Sequence, residues 1–318
     1  MRNGVLAAAI MVCVAGGAAA DTHRHTDDCF THGAHAVPDT LAFADLATIR
    51  DYFAAAHYTL DDWNAGERTV PRYYLARVPS RWRHDVAPGL PVHLKKRYFF
   101  FAYAPLVLEC NEDIALLRDR LVGLHGADAL SPADGAWLRD LAATYRLDVA
   151  PDADLGPDLT SQLLRRVDIV PASLALAQAA VESGWSTSRF ADLGNALFGQ
   201  WTWGDDGITP EQQRDHLGDY RIKAFATPEQ SIAAYMHNLN THPGYADFRE
   251  RRHRLRADGK RLSGRELAPG LTAYSELGQE YVETLLSVIR VNHLPAADDA
   301  YLRDMKPVML VPVGEGSD

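Results

Sequence analysis

The stretch from Ser173 to Trp203, SLALAQAAVESGWSTSRFADLGNALFGQWTW, most constrains what this chain can fold into. Leu174, Leu176, Ala177, Ala180 and Val181 wrap around a helix rather than lining one stripe, so the segment belongs inside a core. Pro171 near the first turn and Gly184 at a left-handed cap bracket this helix at about 171–183. Its one carboxylate, Glu182, falls in the last turn, where the helix dipole is already negative. Burial also disfavours the charged form, so both effects raise its pKa. A carboxylic acid kept protonated near neutral pH is what a general acid requires. The plainer alternative is a Glu capped by local N–H groups at an ordinary helix end.

The first twenty residues read as a secretory signal. Arg2 opens it, Val5 to Val14 form an apolar run, and Ala18-Ala19-Ala20 offers a cleavage site before Asp21. That run is too short for a permanent span, and no later segment is apolar for long enough to serve as an anchor. The expectation is an exported, unanchored protein of the periplasm, acting as a monomer. Export places Cys29 and Cys110 in an oxidising compartment, where a disulfide would staple the N-terminal tail to the domain. The formal net charge of −10 argues against nucleic acid as a partner. Residues 21–36, DTHRHTDDCFTHGAHA, carry His23, His25, His32 and His35 and have the donor types for a metal. The segment lacks apolar residues to hold a preformed site, so a solvated tether is the favoured reading. No HExxH or paired CxxC pattern occurs, and no metal or other cofactor is expected.

From 37 to 150 the chain has helical patterns of its own. Leu41, Ile49 and Phe53 point to one helix, and residues 92–124 to another, interrupted or kinked near Pro105. Beyond that proline Ile114, Leu117, Leu121 and Leu124 share a face. Ser131-Pro132-Ala133-Asp134 opens a further helix, and the aromatic run Tyr98 to Phe101 reads as core. Residues 64–91, rich in proline and arginine, read as an extended connection. The turn cluster at 151–157, PDADLGP, is the internal boundary.

AQAAVESGWSTSRFA followed by GNALFGQW resembles the glucosaminidases of glycoside hydrolase family 73, in their Bax-type branch. The likeness continues through YRIKAFATPEQSIAAYMHNLNTHPGYADFR to TAYSELGQEYVETLLSVIRVNHL, covering roughly 165–295 in order. The resemblance implies a mainly α, lysozyme-like catalytic domain with a small β-lobe, preceded by an N-terminal helical extension. The implied partition is a signal peptide at 1–20, a His-rich tail at 21–36 and the extension at 37–150. The catalytic domain then covers 151–300, and 301–318 form a C-terminal tail. It further implies peptidoglycan glycan strands as substrate and cleavage of the β-1,4 bond after N-acetylglucosamine. A lytic transglycosylase and a non-catalytic wall-binding module are the alternatives.

Glycoside cleavage conventionally needs two carboxyl groups, and Glu182 is the candidate acid. The second is sought in WTWGDDGITPEQQRDHLGDYRIKAF, which offers Asp205, Asp206, Glu211, Asp215 and Asp219. Asp219 is chosen because it precedes YRIKAF, an alternating stretch that reads as a strand. Assistance by the substrate's own acetamido group is the other route. Asn195, Gln200 and Trp203 are expected to line a sugar cleft, amides for hydroxyls and indole for ring faces, whereas Phe198 reads as packing. Thr227-Pro228-Glu229-Gln230 starts a structural helix whose end brings Asn240 and His242 toward the cleft or simply closes the helix. Tyr274 and Tyr281 lie in the block resembling the family's tyrosine segment, with Tyr274 the preferred catalytic phenol and Tyr281 set between substrate binding and packing.

Overall fold

The computed structural model describes residues 37–127, 129–205, 207–211 and 219–314. The signal-like segment, the His-rich tail and Cys29 lie outside them, as do Asp206 and Asp215. The fold is mainly α. The chain enters through strand β1 (Asp39–Phe43), helices α1 (Leu46–Ala55) and α2 (Leu60–Asn64), and strands β2 (Thr69–Val70) and β3 (Tyr73–Leu75). Leu41 therefore sits in β1, apart from Ile49 and Phe53 in α1, because Asp45 starts a new helix by accepting the Thr48 N–H. The connection at 64–91 is not simply extended: after β3 it winds into a π-helical turn at Trp82–Val86.

Helix α3 (Val92–Leu124) is 33 residues long and runs through Pro105 without the expected interruption. Proline has no N–H for the Phe101 carbonyl, and the Tyr58 hydroxyl donates to that oxygen instead, at 3.3 Å. Cys110 is buried on this helix, its Sγ 3.9 Å from the Glu229 carbonyl oxygen. Helices α4 (Pro132–Thr144) and α5 (Pro157–Arg166) pack with the C-terminal end of α3 in a core that includes Leu117, Leu121, Leu138, Tyr145 and Leu163. That core spans the 151–157 turn.

Next come α6 (Ala172–Glu182), α7 (Arg189–Gly194) and a three-stranded antiparallel lobe. The lobe's strands β4 (Trp201–Thr202), β5 (Gly207–Ile208) and β6 (Arg221–Lys223) are ordered β4-β6-β5. Helices α8 (Pro228–Thr241), α9 (Ala246–Ala257), α10 (Gly264–Leu267) and α11 (Gln279–Val291) follow. Every residue of α6 from Ala172 to Ala180 is buried, as its all-round apolar pattern requires, with α3, α10 and α11 packed around it.

The segment 301–318, expected as a tail, instead contributes β7 (Tyr301–Leu302) and β8 (Val308–Pro312). β8 lies between β1 and β3, parallel to both, and β7 pairs parallel with β2. Pairing with strands more than 200 residues away leaves no local signature, so a short alternating segment at a chain end reads as a tail. The main core accordingly runs from Phe43 to Leu310. Leu310, 2% exposed at the centre of β8, tests this directly. Leu310→Ala should cost about 2–5 kcal/mol in urea unfolding, whereas a tail residue would cost less than about 0.5 kcal/mol.

Candidate active site

Glu182 closes α6, half-buried, with Ser183 as the C-cap. Burial raises its pKa from 4.5 to about 7, against the opposing effect of a hydrogen bond from Tyr281. The Tyr281 hydroxyl donates to Glu182 Oε1 at 2.7 Å from the first turn of α11. Behind it, Gln178 Nε2 donates to the Tyr281 oxygen at 2.9 Å, and the Tyr235 hydroxyl of α8 donates to Gln178 Oε1 at 2.5 Å. Tyr235, Gln178, Tyr281 and Glu182 thus form one directed chain of donors ending on one carboxyl oxygen. Burial holds the phenols of Tyr281 and Tyr235 well above their ordinary pKa, so both remain donors. Because Oε1 accepts from Tyr281, a proton on this carboxyl belongs on Oε2.

The turn after Glu182 is unusual. Gly184, Trp185 and Ser186 have φ of +57°, +63° and +60°, and the last two carry side chains in a region that costs roughly 1–2 kcal/mol per residue. Local bonds hold part of it: Ser186 N–H to Ser183 Oγ at 2.8 Å and Trp185 N–H to the Ala180 carbonyl at 2.9 Å. The rest comes from the N-terminal region. Trp82 Nε1 donates to the Trp185 carbonyl at 3.0 Å, and Ser186 Oγ donates to the Tyr103 hydroxyl at 2.8 Å. Phe99 and Phe100 meet the Trp185 ring edge-on, each 5.4 Å away.

A family model described as mannosyl-glycoprotein endo-beta-N-acetylglucosaminidase (Glucosaminidase) matches residues 158–294, the span holding Glu182 and all three partners of its donor chain. Protein bax of Escherichia coli (strain K12) is 32% identical over 201 residues, which cover 62% of this chain and 70% of that protein. This chain belongs to the Bax-type glucosaminidase family. No solved structure matches it. Membership makes the chain a glycosidase of the peptidoglycan- and glycan-cleaving kind, acting outside the cytoplasm. Among the described residues no helix is long and apolar enough to cross a membrane.

Within the glucosaminidase domain the other expected site residues scatter. Tyr274 stacks on Tyr281, rings 5.4 Å apart and nearly parallel at 4°, and so supports the phenol that touches Glu182. Asn195 turns inward: Nδ2 donates to the carbonyls of Phe225 and Ala226, and Oδ1 accepts the Val78 N–H at 2.8 Å. Its amide is consumed in fastening the lobe to the N-terminal region. Asn240 is buried between the Asp168 carbonyl and Arg252, and His242 Nδ1 accepts the Gly244 N–H as a cap. Gln200 is buried with Nε2 on the Ser231 carbonyl, and its Oε1 has no hydrogen-bond partner. Trp203 is 51% exposed in the lobe, and Asp219 is exposed just before β6. Phe198 stacks on Tyr235 at 3.9 Å as packing.

Sequence reasoning missed Gln178, Tyr235, Trp82 and Tyr103. Gln178 lies four residues before Glu182, so helical spacing puts the two on one face and could have revealed the amide. The others come from distant elements, and no local signal marks them.

Two expectations follow. In the unfolded chain Glu182 ionises near 4.5 and in the fold near 7, so stability falls between those values and the full deficit, up to roughly 3 kcal/mol, persists above about pH 7. Glu182→Gln should therefore melt higher than the parent at about pH 8 and no higher at about pH 4, by calorimetry. Tyr103→Phe leaves the buried Ser186 hydroxyl without its acceptor; it should cost about 1–2 kcal/mol and speed hydrogen exchange across 183–188.

Proposed function

We propose that this protein hydrolyses the β-1,4 bond after N-acetylglucosamine in peptidoglycan, with Glu182 as general acid. The observation that carries the reading is a carboxyl whose pKa burial raises to about 7, with one oxygen held by a hydrogen bond from Tyr281. Oε2 donates that proton to the glycosidic oxygen as the bond breaks, and Tyr281 stabilises the carboxylate left behind. Tyr274 keeps Tyr281 in place by stacking. The exposed Trp203 indole offers a flat apolar face to a pyranose ring. Asp219, carried by the lobe, is the carboxylate assigned to the water. The reading places the protein in the periplasm after removal of the signal-like segment 1–20, and as a monomer.

The test is mass spectrometry of products from purified sacculi. Reducing N-acetylglucosamine ends should appear, with activity falling as pH rises above about 7 as the acid ionises. Glu182→Gln should lower the rate by roughly 10²–10⁴-fold. A comparable loss in Asp219→Asn assigns the water to that carboxylate, while full activity there assigns the step to the acetamido group. Anhydro-muramic ends would make the enzyme a lytic transglycosylase, and absence of products would make it a binding module.

A further inference from the structure

A groove of about 1000 Å³ opens between α2, the start of α3 and the C-terminal end of α11. Its lining includes Arg68, Lys96 and Arg97, with the imidazoles of His93 and His293, and no Asp or Glu. This lining is opposite in sign to the chain's net charge of −10. Among the described residues Lys96 and Arg97 make no ion pair with a carboxylate, although both are half-buried. The groove also has aromatic walls. Arg68 lies over the Trp63 ring at 4.5 Å, and Phe100 stands edge-on to Trp185. Lys96 lies over that same Trp185 ring, at 4.9 Å. Trp185 is three residues beyond Glu182, so Lys96 and Phe100 of the groove meet a side chain of the strained turn.

We propose that this groove binds a short acidic peptide, the chemistry of the stems that hang from peptidoglycan glycan strands. The proposal rests on the peptidoglycan reading above and adds a second contact to it. Arg97 and Lys96 take the peptide's carboxylates, while Trp63 and Phe100 take its alanine methyl groups. Half-burial strengthens those charge pairs relative to open water. The net charge of −10 on the chain as a whole disfavours a long polyanion, so a short one is the fitting ligand. A stem held here would orient its glycan strand relative to the turn that carries Glu182.

The experiment is a calorimetric titration of the full chain carrying Glu182→Gln with the tetrapeptide L-Ala-γ-D-Glu-meso-diaminopimelate-D-Ala. Saturable binding is expected. It should weaken at least tenfold in Arg97→Glu, and similarly when the peptide carboxylates are amidated. Arg265→Glu, an exposed cation outside the groove, should leave it unchanged. If Arg97→Glu does not hold its fold by circular dichroism, Arg97→Gln carries the same reading. Peptide affinity equal in parent and Arg97 variants would overturn the proposal, as would Arg97-dependent binding to phosphatidylglycerol vesicles with none to peptide. Loss of the groove contact with sacculi still cleaved by the parent removes only this inference. Arg97-dependent peptide binding without any cleavage keeps the groove and removes the hydrolase reading.

Discussion

A carboxyl group withdrawn from water at the end of a wholly apolar helix is the constraint around which this molecule is arranged. Helix α6 is buried on all sides, so its final turn cannot lift Glu182 clear into solvent. Desolvation outweighs the single bond from Tyr281, and the acid stays protonated to about pH 7. Three further helices are committed to that geometry, because Tyr281 comes from α11, Tyr235 from α8, and Tyr103 and the Trp185 wall from α3.

Asp168 shows how much depends on the neighbours rather than on burial alone. It too is buried, and burial by itself would raise its pKa. Arg252, Arg256 and Arg118 surround it, with Arg256 Nη2 at 2.8 Å, and hold it below the usual carboxylate range. The compensation is mutual but incomplete, since burial still lowers Arg252 to about 10. Asn240 and Arg252 are locked into this cluster, which joins α5, α8 and α9 at the back of the domain. One buried acid is charged and structural. The other is opposed only by a hydrogen bond from Tyr281, and burial raises its pKa to about 7.

The regions flanking the family domain belong to the same body. Arg72 pairs with Glu109 and Glu112 at 2.8 Å, tying β3 to α3, and the Tyr74 hydroxyl donates to Glu109 as well. Arg303, next to β7, reaches back to the Ala56 carbonyl. The N-terminal residues thus brace a turn that three consecutive left-handed conformations would otherwise make unstable. A structural reason follows for Trp82 and Tyr103 lying in a region that contributes nothing to the proton-donating chain.

Much of this was legible in the chain itself. The buried helix, its stop at Gly184, Glu182 in the last turn, the Thr227 cap and the β6 strand all follow from local periodicity and capping chemistry. Glu182's raised pKa was also legible, since an apolar helix end implies desolvation. Which phenol meets the acid was not, because Tyr274 and Tyr281 share one block and only the packing of α11 against α6 turns Tyr281 toward Glu182. The amides misled for the same reason: a polar side chain suits a sugar or a backbone carbonyl equally well until its neighbours are known. The sequence alone determined the helix that carries Glu182, the Thr227-capped helix and where an acid would be costly, since those depend on residues within a few turns. Tertiary structure alone decided what Asn195 and Asn240 bond to, how β8 enters the sheet and what braces the turn after Glu182, since each depends on contacts between residues far apart in the chain.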